Sequence, residues 1–324
     1  MPSSRLFRAL LSRLLQMVVV LFAISLVTFL LLNALPGNAA ANRIGPLPNF
    51  TAAQRAEEVK ALEHQLGLDK PLYVQYGIWL EHAVRGDFGL TVQGEPVSQL
   101  IGGRVVPTIE LAIAALVLSI IFSVLLSVWA LRSRLRIFRY SIQGGMATLL
   151  VAPAFWIGLV LIVLFADQAN WLPASGYVSL GTSLSQNLQH LVLPAVTLAL
   201  PLTALFFRYL HSGLEDASSQ PFAVAARARG LSERAIVYRH ILPNGALPTI
   251  TVVGLAIGSL MSSLVIVENV FSWPGMGSLL ILSVNNSDYN TVVGIVLLTA
   301  ATYVVVSAVV DVIYQIVDPR LRRA

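Results

Sequence analysis

The sequence predicts an all-α integral membrane protein with six transmembrane helices. Three observations carry that prediction: a composition poor in charge, six long uncharged blocks, and basic residues gathered between alternate blocks. The chain has 324 residues, of which 56% are hydrophobic and only 11% charged, and its formal net charge is +5. A soluble globular protein carries about 25% charged residues, so this chain has too little polar surface to cover a water-facing globule. The mean hydropathy of +0.76 agrees.

The uncharged blocks run from Leu14 to Leu35, Leu111 to Leu131, Ser141 to Ala166, Leu191 to Phe207, Ala246 to Val267 and Tyr289 to Val310. Each approaches the ~20 residues that, at ~1.5 Å per residue, cross a hydrocarbon core about 30 Å thick. The fourth block is the shortest and contains Pro194 and Pro201, so a kink is expected there. Lipid-facing strands would alternate polar and apolar residues, which these blocks do not, and a β-barrel is excluded. The first block has a basic start and a small-residue run at Ala39–Ala41, as a signal peptide would. Its apolar run exceeds the roughly 7–15 residues of a signal core, so it is read as a span.

Orientation follows from the basic residues. Fifteen of the 21 Lys and Arg fall on one side of a six-span arrangement: Arg5, Arg8 and Arg13; Arg132, Arg134, Arg136 and Arg139; Arg208, Arg227, Arg229, Arg234 and Arg239; Arg320, Arg322 and Arg323. By the positive-inside rule that side is the cytoplasm, which holds both termini. The positive charge is therefore a topology signal and not a nucleic-acid footprint.

Several chemistries are missing their residues. With no cysteine there is no disulfide, thiolate metal site or cysteine nucleophile. The only lysines, Lys60 and Lys70, do not follow a glycine, so the chain has no P-loop. His64, His82, His190, His211 and His240 are scattered without metal-ligand spacing, and neither G-x-S-x-G nor H-E-x-x-H occurs. Glu110, Arg208, Glu268 and Asp311 all sit near span ends, where a side chain can snorkel, so no midplane proton relay is indicated. That weighs against a proton-coupled secondary transporter, and an ATP-independent secondary transporter stays as the lesser alternative.

The segment 36–107 predicts two amphipathic helices. Thr51 and Gln54 form a capping box ahead of Val59, Leu62 and Leu66. A second helix starts at Asp69 with Pro71 in its first turn, carries Leu72, Tyr76, Trp79, Leu80 and Ala83 on one face, and stops at Gly86. These helices either cap the external mouth by packing or offer a docking surface to an extracytoplasmic partner. In the fifth block Gly254, Gly258 and Ser262 recur every fourth residue, a stripe suited to close helix packing or to leaving width along a pathway.

The most informative stretch is Gln220 to Asn244. Pro221 opens an alanine-rich helix, Gly230 ends it in the left-handed conformation, and Ser232 with Glu233 starts a second helix that Pro243 closes. Ala223, Ala225, Ala226 and Ala228 would let a partner's groove approach the backbone. A basic helix lying on anionic lipid headgroups is the other reading of the same residues.

The spacing of Ala225, Ala226, Gly230, Leu242 and Pro243 resembles the EAA loop of binding-protein-dependent ABC importer permeases. ISLVTFLLLNALPG, LGLDKPLYVQYGIWL, RGDFGLTVQGEPV, PTIELAIAALVLS, APAFWIGLVLIVLF with NWLPASG, HLVLPAVTLALP, ENVFSWPGMGSLL and the terminal DPRLR resemble its oligopeptide/dipeptide (peptide/nickel) group over nearly the whole chain. Val224 stands where the family motif begins with an acid, so no ion pair to a partner forms there.

That resemblance implies a type I ABC importer permease fold with a helical extracytoplasmic insertion between helices 1 and 2. The expected organisation is 1–35 for the amino terminus and first span, 36–107 for the external segment, 108–314 for the permease core with its coupling loop at 211–243, and 315–324 for a cytoplasmic tail. It implies import of peptides by alternating access across a bacterial cytoplasmic membrane, with nickel, glutathione or another small solute as the alternative cargo. Val224, Ala225, Ala226, Arg227, Arg229, Gly230, Leu231, Arg234, Leu242 and Pro243 would contact an ATPase subunit. Trp273, Pro274, Gly275, Met276 and Gly277 would form an outer gate or binding-protein contact. The implied partners are a second, homologous permease, two cytoplasmic ATPase subunits that bind ATP and Mg, an extracytoplasmic binding protein and the lipid bilayer. The chain itself would bind no cofactor, metal or nucleic acid and would catalyse no reaction.

Overall fold

A computed structural model describes residues 3–34, 70–133 and 135–317. Helix dominates the described residues: α1 (Ser3–Ala34), α2 (Leu72–Val84), α3 (Val97–Arg132), α4 (Arg136–Val151) and α5 (Ala154–Leu161), which continues as a π-helical segment Ile162–Gln168. Then come α6 (Leu184–Ser219), α7 (Pro221–Ala228), α8 (Glu233–Ile236), a π-helical segment Val237–Ile241, α9 (Leu242–Gly245), α10 (Leu247–Val270), α11 (Met276–Asn285) and α12 (Tyr289–Val317). The predicted helix from Thr51 to Gly67 lies outside the described residues.

Among the described residues four helices are long and apolar enough to cross a membrane: α3, α6, α10 and the Tyr289–Ala308 part of α12. The α4–α5 pair makes a fifth if it is one span, and α1 contributes the shorter apolar stretch Leu15–Leu31. Two blocks depart from expectation. The third, read as one run from Ser141 to Ala166, is bent by 111° between α4 and α5. Pro153 causes the break: it lacks an N–H, and it pushes Ala152 into an extended conformation (φ −66°, ψ 130°) that stops the helix. The fourth block, expected to be the shortest, belongs to the 36-residue α6. Its polar flanks are helical too, starting at Ser183, whose hydroxyl accepts from the Gln186 N–H. Hydrophobicity marks what fits in lipid, and α6 runs on past both ends of its apolar core.

The chain divides into two compact units, Met1–Val106 with Ser278–Ala308, and Pro107–Gly277 with Val309–Ala324. In the first, α2 is held on α1 by aromatic rings. Tyr76 meets Phe22 and Phe29 edge-on at 5.8 and 5.4 Å, Trp79 lies 5.6 Å from Phe29, and the Tyr76 hydroxyl is 2.7 Å from Ser25 Oγ. Tyr76, Trp79, Leu80 and Ala83 are the half-buried face that the spacing predicts, while Leu72 stays exposed. After Gly86 the chain turns at Asp87, whose carboxylate accepts from the Gly89 N–H at 3.0 Å and lies 2.9 Å from His82 Nδ1. The Gly89 amide first, then His82, holds the Asp87 carboxyl below the usual carboxylate range.

In the second unit α6 is the central helix, mostly buried along its apolar window. One core joins Leu198 and Phe206 of α6 to Leu111 and Ala115 of α3 and to Leu260, Leu264 and Val267 of α10. A second core, nearer the carboxyl end of α6, joins Leu210, Leu214 and Ala217 to Val128, Ala223, Ala226, Ile236, Val237 and Ile241.

Candidate functional site: the 220–245 loop and the 268–277 segment

The loop after α6 is built as a rigid turn. Pro221 sits in the first turn of α7, where its missing N–H costs nothing. Gly230 adopts φ +77°, with its N–H bonded to Arg227 O at 2.9 Å and the Leu231 N–H to Ala226 O at 3.3 Å, a Schellman closure. Ser232 then caps α8 by accepting from the Ala235 N–H at 3.3 Å.

Within this frame the expected contact residues divide by direction. Ala223 and Ala226 are buried against α6, so only Ala225 and Ala228 of the four alanines face outward. Arg227 is internally engaged: its Nε donates to Glu233 Oε1 at 2.9 Å and its Nη1 to Ser218 O at 3.1 Å, tying the end of α6 to α7 and α8. Arg229 and Arg234 remain outward with Val224 (55% exposed) and Leu231 (44%), while Leu242 is half-buried and Pro243 exposed. Exposed apolar side chains and exposed cations thus occur together in this loop.

Pro243 does not close the second helix. The backbone passes through the π-helical segment Val237–Ile241 and continues as α9 to Gly245. The wider π turn accommodates the proline, which can neither donate an N–H nor tolerate the carbonyl one α-turn earlier. Here α9 crosses α6 backbone to backbone: a Cβ added at Gly245 would lie 2.7 Å from Gly213 O, and one at Gly213 would collide with Gly245 O. Sequence reading missed this crossing, although a glycine at the same depth on each of two helices is its available signal.

Residues 268–277 form a second constellation, at the far end of α10. Glu268 is fully buried rather than snorkelling. Its Oε1 accepts from the Thr108 hydroxyl at 2.7 Å and its Oε2 from the Gly277 N–H at 2.7 Å, while Thr108 Oγ1 accepts from the Met276 N–H at 2.8 Å. The first two N–H groups of α11 are thereby satisfied by a carboxylate and a hydroxyl, an arrangement the helix dipole favours. Gly275 has no room for a side chain, because a Cβ there would collide with the Glu268 carboxylate.

Trp273 is fully buried: its Nε1 donates to Pro107 O at 2.9 Å, and its ring meets Tyr177 edge-on at 4.7 Å. Gly275, Met276 and Gly277 are buried, Pro274 is half-buried, and Ser272 is exposed. The loop before α6 is fastened alongside. Asn187 Nδ2 donates to Glu110 Oε1 at 2.6 Å, the Tyr177 hydroxyl to Glu110 Oε2 at 3.2 Å, and the Gly176 N–H to Phe271 O at 2.9 Å. Burial first, then the Glu110 charge, pushes the Tyr177 hydroxyl above its ordinary pKa. Along α10, Gly254 packs so tightly that a Cβ would collide with Val310 of α12, Gly258 is half-buried and Ser262 is exposed.

Residues 119–323 match the family model for the binding-protein-dependent transport system inner membrane component, and residues 6–96 match the model of its amino-terminal part. The chain belongs to this family of ABC importer permeases. Within the peptide/nickel group of these permeases, it is 34% identical over 315 residues to a glutathione transport system permease protein of Escherichia coli (strain K12), covering 96% of this chain and 97% of that one. It is 35% identical over 321 residues to a Brucella suis protein whose name places it among peptide permeases, covering 98% and 99%. A solved amino acid ABC transporter with histidines is similar over 69% of this permease and 94% of its own chain, at TM-score 0.49 and 14% identity. Its relatives are permease subunits, and the loop from Gln220 to Asn244 falls inside the region that the inner-membrane-component model matches.

Proposed function

We propose that this permease forms half of the translocation pathway of an ATP-driven peptide importer and that its 220–245 loop docks on a cytoplasmic ATPase subunit. The observation that carries this reading is the two-sidedness of the loop. Ala223, Ala226, Ile236 and Arg227 anchor it to α6, while Val224, Ala225, Ala228, Arg229, Leu231 and Arg234 are left outward. A surface that must pass on a rigid-body movement needs both a firm backing and a free face.

In this reading there are six spans: α1, α3, the α4–α5 pair, α6, α10 and α12. The fifteen clustered arginines and both termini lie in the cytoplasm of a bacterial plasma membrane. A second homologous permease completes the pathway, two ATPase subunits bind ATP and Mg, and an extracytoplasmic binding protein delivers the substrate. ATP binding closes the ATPase pair, the loop moves as one body, and the spans change which side is open. Residues 268–277, being mostly buried, brace the outer end of α10 and leave binding-protein contact to neighbouring exposed residues. The names of relatives support peptides, and they equally support glutathione as a second cargo.

The test is ATP-dependent uptake of a labelled dipeptide and of labelled glutathione into proteoliposomes carrying the assembled transporter, compared between wild type and Gly230→Val. A β-branched residue at φ +77° is strained, which displaces the loop. Uptake is expected to fall with ATP hydrolysis no longer stimulated by substrate. Unchanged coupling in the variant would overturn the docking role, and uptake without ATP would overturn the importer itself.

A further inference from the structure

A groove of about 370 Å³ lies between α4 and α6, lined by Gln143, Met146, Ala147 and Leu150 on one side and by Ala204, Phe207, Arg208, His211, Ser212 and Glu215 on the other. The helices run so that polarity changes along the groove. Gln143, Arg208, His211, Ser212 and Glu215 mark one end, and Leu150, Met146, Ala204 and Phe207 mark the other.

The polar end is incompletely satisfied. His211 is 4% exposed and stacked on Phe207 at 5.2 Å, with Glu215 Oε1 3.4 Å from its Nε2 and the Ser127 carbonyl beside the ring. Arg139 lies near the ring, its Nη2 donating to Ser133 O at 3.2 Å while its buried Nε has no hydrogen-bond partner among the described residues. Arg208 is exposed on the same face. Among the described residues, the groove lining itself carries Arg208 and Glu215, and Arg139 adds a second cation beside His211. Buried donors left over at such an end ordinarily belong to a site that something else completes.

We propose that this groove binds an anionic phospholipid of the surrounding bilayer. The phosphate sits among Arg208, Arg139 and His211, and an acyl chain lies along Phe207, Ala204, Met146 and Leu150. The chemistry matches at both ends: a lipid phosphate is a multivalent acceptor for guanidinium and imidazole N–H groups, and only an amphiphile also fills an apolar continuation. Bilayer lipid is the solvent of these helices and needs no further route to the site.

The experiment uses the full-length chain in its assembled transporter, with photo-crosslinkable phosphatidylglycerol as the probe and labelled peptides mapped by mass spectrometry. The label is expected on 143–150 and 204–215 and is displaced by unlabelled phosphatidylglycerol but not by phosphatidylcholine. Arg208→Gln, which removes one charge-assisted contact, weakens phosphatidylglycerol binding roughly 10-fold. Ala147→Trp, which fills the groove from an exposed position, abolishes the label there, and Arg136→Gln on the same helix outside the groove leaves it unchanged. Equal displacement by phosphatidylcholine reduces the groove to ordinary lipid contact and overturns the proposal. Displacement by a dipeptide overturns it in favour of a solute site.

Discussion

Replacing Glu268 by alanine tests whether a buried carboxylate holds the 271–277 segment. The substitution leaves the Gly277 N–H and the Thr108 hydroxyl without their acceptor, both buried. Each orphan costs about 1–3 kcal/mol, and the relief from no longer burying the carboxylate offsets part of the sum, which leaves a loss of about 3 kcal/mol. At roughly 2–4 °C per kcal/mol for chains of 150–250 residues, thermal unfolding in detergent should come more than about 5 °C earlier. Hydrogen exchange localises the effect: the Met276 and Gly277 amides, now bonded to Thr108 and Glu268, should lose protection first. Glu268→Gln keeps one acceptor but turns an NH₂ group toward another donor, so its loss is intermediate. Thr108→Val and Glu268→Ala share these bonds and should be non-additive in a double-mutant cycle. Wild-type unfolding together with unchanged exchange at 276–277 in Glu268→Ala would refute the reasoning.

Two further outcomes follow from local geometry. Gly245→Ala places a methyl group against the Gly213 carbonyl of α6 and should destabilise the permease by about 1–3 kcal/mol, read by thermal unfolding, whereas Gly144→Ala on α4, where a Cβ meets open space, should not. The Asp87 turn should loosen in acid. Its folded carboxyl lies below the ordinary value of 3.8, so the stabilisation is complete above that pH and is lost as pH falls through the lower folded value. Exchange at the Gly89 amide between pH 5 and pH 3 reads this directly, and Asp87→Asn should flatten the dependence.

Composition and block hydrophobicity made the membrane class legible, and turn chemistry made legible the left-handed Gly230, the Ser232 cap and the α2 face of Tyr76 and Trp79. Each of these depends on residues close in sequence. What the sequence concealed depends on residues far apart. The Glu268–Thr108 bond joins positions 160 apart, so a residue that looked free to snorkel became the cap of α11. The Gly213–Gly245 crossing likewise needs two helices in place before either glycine has meaning. That Arg227 also ties the end of α6 to α8 through Ser218 and Glu233 has no local signature either. Pro243 read as a stop because local rules assume an α-helical backbone, and the π turn ahead of it removes the clash.

The absence of cysteine from the chain makes the docking claim directly measurable, since any introduced thiol is the only one in this subunit. Single variants Ala228→Cys and Leu231→Cys on the exposed face of the loop, and Ala223→Cys on its buried face, can be labelled with a maleimide–benzophenone reagent, whose photoactivated ketone inserts into any nearby C–H bond, and irradiated in the assembled transporter. Cross-links to the ATPase subunit from positions 228 and 231, changing in yield when ATP is added, and none from 223, are the predicted result. No ATPase cross-link from either exposed position, with the transporter intact and active, would contradict it.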